Sequence, residues 1–352
     1  MLEPLKSPLY RSGVMSAYHR VRNKSHVTVV AFHRVLSTRD SRWAHADSQW
    51  TVSSQFFEEC LDFFSSHYNV ISTSDLVGLC SIASKRVERP LLITFDDGWA
   101  DVCDYALPAL RRRSLPATVF VVAGEVDGYE PWQDTIRRVW RREQLRFERF
   151  PWLRDYEIGG TRERLQQQPP RELTEWIQWL SGINTDQRTA LLQRLREELC
   201  DATPKQMMSR EQLLWVSTSG CQVGSHGLTH TSIPSSPTPW EELAGSRRKL
   251  ATILETDGDA GPAFFAFPNG QCDDAALRMA ASAGYREVFT SEPCLNILPP
   301  GCSRPLILGR ISISSGPLSD KNGTLRPELL ALWLFSRPAR SIPWPEDSQR
   351  CA

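Results

Sequence analysis

The chain has 352 residues, room for one large domain or two modest ones, and a single α/β barrel of about 250 residues with an insertion fits that length. Lys+Arg 41 balance Asp+Glu 41, which excludes a global electrostatic pull toward nucleic acid or an anionic surface and leaves any such contact local. Nine cysteines, an odd number with no Cys-x-x-Cys pair, argue against a disulfide framework and a thiolate zinc site.

Reduced thiols in a cytoplasmic protein are therefore expected. The first residues hold no apolar signal core, and no stretch approaches the roughly 18 apolar residues of a spanning helix. Residues 1–25 form a basic segment carrying Lys6, Arg11, Arg20, Arg22 and Lys24. Next, "HVTVVAFHRV" (26–35) is a β-branched apolar run of strand length ending on His33 and Arg34. "SSQFFEECLDFFSSHY" follows, with Phe56, Phe57, Cys60, Leu61 and Phe64 at the spacing of an amphipathic helix behind a Ser cap.

"NVIS" predicts a short strand, "STSDLVGLCSIAS" a capped helix, "PLLITF" a strand, "YALPALRRRSL" a helix and "ATVFVVAG" a strand. Such alternation, with near-continuous apolar strands, predicts a parallel sheet covered on both faces. From 129 to 208 the texture changes to Trp, Arg, Glu and Gln, with Ile136, Val139 and Trp140, then Trp176, Ile177 and Leu180, then Leu191, Leu195 and Leu199 at helical spacing. This predicts a helical insertion, packed on the barrel or facing the substrate as a cap. Alternation resumes through "GCQVGSH", "PWEELAGSRRKLATILE", "AFFAFP", "DDAALRMAASAGY", "EVFTS" and "LILGRISI". In the closing segment, 321–352, "TLRPELLALWLFSRPAR" predicts an apolar helix too short to span a bilayer, which closes the barrel or touches a membrane interface.

Two motifs carry chemistry. "LLITFDDGWADV" places Asp96 and Asp97 at the carboxyl end of a strand, where parallel sheets do their chemistry and where an unpaired buried charge would cost several kcal/mol. "VGSHGLTH" places His226 and His230 four apart after another strand, on one face if the segment turns helically. Two imidazoles and a carboxylate make a three-ligand site with positions open to water, as catalytic zinc and several other divalent ions use. A helix-capping role would explain one aspartate, not two before a glycine. One aspartate would hold the ion and its neighbour remain ionised as a base.

With these motifs the sequence resembles the polysaccharide deacetylases of the NodB-homology, carbohydrate esterase type, from about residue 26 to 313 outside the insertion. "TFDDG" (94–98) matches their first motif and "SHGLTH" (225–230) their His-(Ser/Thr)-x-x-His motif, with Gly227 and Thr229 at inner positions. The resemblance implies an irregular (β/α)7 barrel over 26–320 interrupted by 129–208. It makes Asp96 the general base, and Asp97, His226 and His230 the ligands of a divalent metal, zinc first, with cobalt, nickel or iron compatible. "AFPNG" (266–270) aligns with the Arg-x-Pro-Tyr-Gly motif, so the Asn269 main-chain N–H is the implied oxyanion donor. Ala266 replaces the arginine that orients the base, leaving Arg310 of "LGRISI" as the candidate substitute. All seven histidines lie at or before 230, so the family's C-terminal histidine is missing. A branch resembling the poly-N-acetylglucosamine deacetylases carries that histidine at the end of the first strand, which makes His33 the general acid.

The implied reaction is hydrolysis of an N-acetyl group from an amino-sugar glycan or from a lipid-linked or nucleotide-linked precursor in a surface-polysaccharide pathway. Trp99 either stacks on the sugar or packs in the core. The basic N-terminus and the insertion suggest a peripheral membrane contact; no nucleic-acid partner is expected. Two rivals are a catalytically lapsed glycan-binding module, which has no use for a free base, and a non-haem iron enzyme on the same triad, which needs no second carboxylate.

Overall fold

A computed structural model describes residues 3–345 of the chain, except 81–86, 129, 142–144, 147, 156–169, 171, 184, 200–203, 257–260 and 300–304. The end of the expected "STSDLVGLCSIAS" helix, parts of the insertion and the tail 346–352 thus lie outside the described residues. The strands are β1 (Thr28–Phe32), β2 (Arg34–Leu36), β3 (Thr51–Ser53), β4 (Asn69–Val70), β5 (Pro90–Phe95), β6 (Thr118–Val121), β7 (Gln222–Ser225), β8 (Phe264–Ala266), β9 (Glu287–Phe289), β10 (Leu295–Asn296), β11 (Leu306–Leu308), β12 (Ile311–Ser312) and β13 (Ala339–Arg340).

Nine of these form one curled parallel sheet, in the order β11-β9-β8-β7-β6-β5-β1-β12 with β4 beside β5. Its parallel pairing follows from helical crossovers such as Ser54–His67 on the connection from β1 to β4 and Leu107–Arg112 between β5 and β6. Every residue of β1 and β5 is buried, because side chains alternate between the inner face, with Val29 and Leu92, and the helix-covered face, with Phe32 and Phe95. Ser53 caps the Ser54–His67 helix as expected, its hydroxyl accepting from the Phe56 N–H at 3.1 Å.

The run "LILGRISI" is not one strand but two, β11 and β12, which occupy opposite ends of the sheet order. Only Gly309 and Arg310 separate them, a span of about 10 Å at most, so the sheet must curl until its ends nearly meet. Asn296 stitches this seam: its amide takes the Gly309 N–H at 2.7 Å and donates to the Gly309 carbonyl at 2.9 Å, while its main chain pairs with Val27. A Cβ at Gly309 would sit 2.3 Å from the Glu292 carbonyl oxygen, so the seam demands glycine there.

"HVTVVAFHRV" also splits. β1 joins the main sheet, β2 pairs with β3 in a separate ribbon, and His33 occupies the break. Arg34 holds that turn, pairing with buried Asp101 at 2.8 Å and donating to Gln206 at 2.8 Å. The basic segment 1–25, read from sequence as charge alone, contains two helices, Glu3–Arg11 and Val14–Arg22.

The helices Trp132–Arg141, Leu173–Ser181 and Thr185–Glu198 share an apolar cluster of their own, including Trp132, Ile136, Trp176, Leu180, Leu191 and Leu195. Its Trp and Leu stripes therefore face one another more than the barrel. Cys60, Cys103, Cys221, Cys272 and Cys294 are free thiols, whereas Cys80 is disulfide-bonded, contrary to the expectation of wholly reduced cysteines. No helix among the described residues is long and apolar enough to cross a membrane.

Candidate active site

The register Phe32↔Phe95 of β1 on β5 sets the residues after them, His33 and Asp96, side by side at the carboxyl edge of the sheet. Asp97 and Gly98 then turn the chain sharply with φ of 71° and 86°, a left-handed conformation that aspartate tolerates better than most side chains. Two strands away, β7 ends at Ser225, and the His226 N–H donates to the Val121 carbonyl at 2.8 Å.

The segment 226–230 is not the helical turn considered from spacing. It is a bend with Gly227 and His230 at φ of 84° and 59°, yet the two imidazole rings still lie 5.1 Å apart. Glu242 holds the bend, accepting from the Leu228 and Thr229 N–H groups at 2.9 Å each and from the Thr229 hydroxyl at 2.5 Å. From the insertion, Gln133 donates to the His230 carbonyl at 3.0 Å. Sequence reading missed both residues, since neither belongs to a motif.

Asp97 Oδ1 lies 3.6 Å from His226 Nε2 and 3.4 Å from His230 Nε2. His226 Nδ1 lies 2.8 Å from the Ala266 carbonyl oxygen, which can only accept, so Nδ1 carries the proton and the Nε2 lone pair faces the carboxylate. Asp97 Oδ1 itself is buried without a hydrogen-bond partner, while Oδ2 accepts from Trp99 Nε1 at 2.9 Å. A lone pair turned toward an orphaned buried carboxylate oxygen is repulsive unless a cation sits between them. The ligand atoms of Asp97, His226 and His230 lie within 4.8 Å of one another, and this nitrogen–nitrogen–oxygen donor set fits zinc and several other divalent ions.

Asp96 faces the other way. Arg310, delivered by the seam, grips it bidentately at 2.6 and 2.8 Å, and His33 Nε2 approaches its Oδ2 at 3.9 Å. Burial pushes the Asp96 carboxyl up, but the Arg310 guanidinium, followed by His226 and His33, pulls it down further, to well below the usual carboxylate range. Burial likewise opposes ionisation of Asp97, and the histidines, His230 foremost, outweigh it. Burial lowers His226 to about 4, which leaves the ring neutral and able to ligate at neutral pH.

These groups open into a cleft of about 830 Å³. Asn269 lies on its wall in a left-handed turn, φ 58°, next to Gly270. Across the cleft, Glu130, Asp134, Arg137, Arg138 and Arg141 of the insertion line it, so the insertion's polar edge does form part of a cap while its Trp stripes form its own core. Burial raises the Asp134 carboxyl to about 6. Trp99 is not a sugar platform: it is 3% exposed, lies under the Arg34 guanidinium at 4.0 Å and spends its N–H on Asp97.

Comparison with known proteins adds to this geometry. The family described as polysaccharide deacetylase matches residues 83–152 and 179–288, half of the chain. The fold is that of BC0361, a polysaccharide deacetylase from Bacillus cereus (TM-score 0.55, 16% identity, covering 88% of this chain and 69% of that one). It is also that of the Streptococcus pyogenes deacetylase PplD (0.54, 16%, 88% and 99%) and of IcaB from Ammonifex degensii (0.53, 18%, 89% and 98%). No curated protein sequence matches. The chain belongs to the polysaccharide deacetylase family, hydrolases that act on the carbon–nitrogen bond of N-acetylated sugars.

Proposed function

We propose that the protein removes the N-acetyl group from an amino-sugar unit of a glycan or of a lipid-linked or nucleotide-linked precursor. Asp97, His226 and His230 would hold a divalent cation, zinc first. The observation that carries this reading is the orphaned Asp97 oxygen facing two imidazole nitrogens, with a second, ionised carboxylate fixed beside it. Neither a binding-only module nor an oxygenase gives that second carboxylate a task.

A cation bound there supplies Lewis acidity, making a nearby water more acidic and the amide carbonyl more electrophilic. Asp96 takes the proton from the attacking water; each of its oxygens keeps a lone pair beyond the one that Arg310 occupies. The Asn269 N–H donates to the carbonyl oxygen as charge develops on it. His33 lies against Trp50 at the break after β1, on the Asp96 side of the cleft, and gives a proton to the departing sugar nitrogen, which cannot leave as an anion. Acetate and the free amine result. Arg310 takes the orienting role left open by Ala266. The division into a barrel over 26–320 and an insertion over 129–208 belongs to the same proposal and is supported by the insertion's separate apolar cluster.

Prolonged dialysis against a chelator should abolish acetate release from an N-acetylglucosamine oligomer, and zinc or cobalt at one equivalent should restore it. Full turnover by a chain shown by mass spectrometry to carry no transition metal would defeat the proposal. Trp99→Phe keeps an aromatic ring under Arg34 and deletes the donor to Asp97 Oδ2 together with part of the buried ring volume. It should weaken metal binding roughly ten- to hundredfold in competition with a chromophoric chelator. Unchanged affinity would leave Trp99 a purely packing residue.

A further inference from the structure

The helices Glu3–Arg11, Val14–Arg22 and Pro327–Phe335 pack on one another and on the barrel side near the chain termini. Their inner faces are accounted for: His19 stacks on Phe335 at 4.0 Å, Tyr10 bonds His67, and Leu330, Ala331 and Leu334 are buried. Their outer faces are apolar at helical period. Val14, Tyr18 and Val21 follow one another at steps of four and three along the second helix, with Ala17 beside them, all exposed, Val21 at 81%. Leu5 and Leu9, four apart, do the same on the first helix, and the adjacent Leu332 and Trp333 are exposed on the third. A water-facing helix normally shows the reverse pattern, so apolar side chains turned outward on three packed neighbours amount to a surface built to be covered.

The charge of that surface decides what covers it. Arg11 and Arg20 are exposed, and Arg337 lies over the Trp333 ring at 3.8 Å. Among the described side chains of the three helices the single acid is Glu328, which is buried and paired with Arg326. A second copy of the chain docked symmetrically here would set arginines against arginines. An anionic bilayer answers both features, since apolar and aromatic side chains enter the headgroup boundary while Arg side chains meet lipid phosphates.

We propose that this three-helix face docks the protein on the surface of an anionic membrane, as a peripheral contact. The face adjoins the cleft: the Trp333 indole N–H donates to the Ser312 carbonyl at 3.3 Å, and Ser312 lines the cleft beside His33 and Arg310. Docking thus brings the cleft near sugars held at the bilayer.

The test is cosedimentation of the full-length chain with phosphatidylcholine vesicles, with and without phosphatidylglycerol, at low and raised salt. The protein is expected to sediment with the anionic vesicles alone and to be released by salt. The double variant Arg11→Gln/Arg20→Gln should bind roughly ten- to thirtyfold more weakly, and Val21→Glu should lose binding. Because these side chains are exposed, acetate release from a soluble oligomer and the melting temperature should stay at the wild-type level in all variants. Absence of binding to anionic vesicles, undiminished binding by the variants, or a solution dimer that Val21→Glu dissociates would each overturn the proposal. A chain that binds vesicles but releases no acetate would instead count against the deacetylase reading alone.

Discussion

Asp96→Asn lowers the rate of acetate release by about 10²- to 10⁴-fold, the range for loss of a positioned general base, while the metal content of the purified protein stays the same. Asn is the same size and still accepts one hydrogen bond from Arg310, but it cannot take a proton from water. Retention of bound metal separates this outcome from damage to the Asp97, His226 and His230 trio, on which the substitution does not act directly. His33→Gln should also cut the rate. It removes the proton donor to the leaving nitrogen and leaves the base in place, so the metal content should again be unchanged. An Asp96→Asn protein with wild-type turnover would sink the assignment of the base.

Arg310→Met is the variant with the largest expected effect on stability, a loss of about 3–5 kcal/mol, because it leaves the buried Asp96 carboxylate without its partner. The pH dependence should also change sign. In the wild type the folded-state pKa of Asp96 lies below its ordinary value, so the ion pair contributes stability above that ordinary value and loses it as pH falls through the folded pKa. In the metal-free variant the guanidinium is gone and burial, the largest influence on the carboxyl, is opposed by the histidines alone, so its pKa is expected above the ordinary value. The variant should then lose stability, relative to the wild type, as pH rises through that new pKa, over the mildly acidic range where the wild-type Asp96 is already fully ionised. Chemical denaturation at a series of pH values reads this directly; parallel wild-type and variant profiles would show that Arg310 does not set the Asp96 charge. Arg310→Lys keeps the charge without the two-point grip, so it should recover much of the stability and less of the rate.

The order of strands and helices was legible because apolar runs of strand length alternate with amphipathic stretches, and helical crossovers permit little except a parallel sheet. That Asp96, Asp97, His226 and His230 would gather at one place was legible because the carboxyl ends of parallel strands lie on one edge of the sheet, and all four do line one cleft. The bend at 226–230 was not, because the left-handed turn at His230 depends on Glu242, a residue on another element with no motif around it. The three-helix face was half legible. The charges of residues 1–25 could be counted, but which side of each helix packs inward depends on partners such as Phe335, far along the chain.

The sequence by itself determined the parallel α/β architecture, the strand-end acids and the histidine pair, since these follow from local hydrophobic period and from the chemistry of single residue types. Only the tertiary structure decided that the last apolar run divides at Gly309 and Arg310 to close the curl, and that Arg310 thereby reaches Asp96 across 214 positions of sequence. It also decided that Trp99 serves Asp97 rather than a sugar, and that the insertion turns arginines and carboxylates toward the cleft. The physical reason is common to them all. Local preference sets what each segment is, whereas the partner of a buried charge or donor is whichever group the packed chain brings within hydrogen-bond reach.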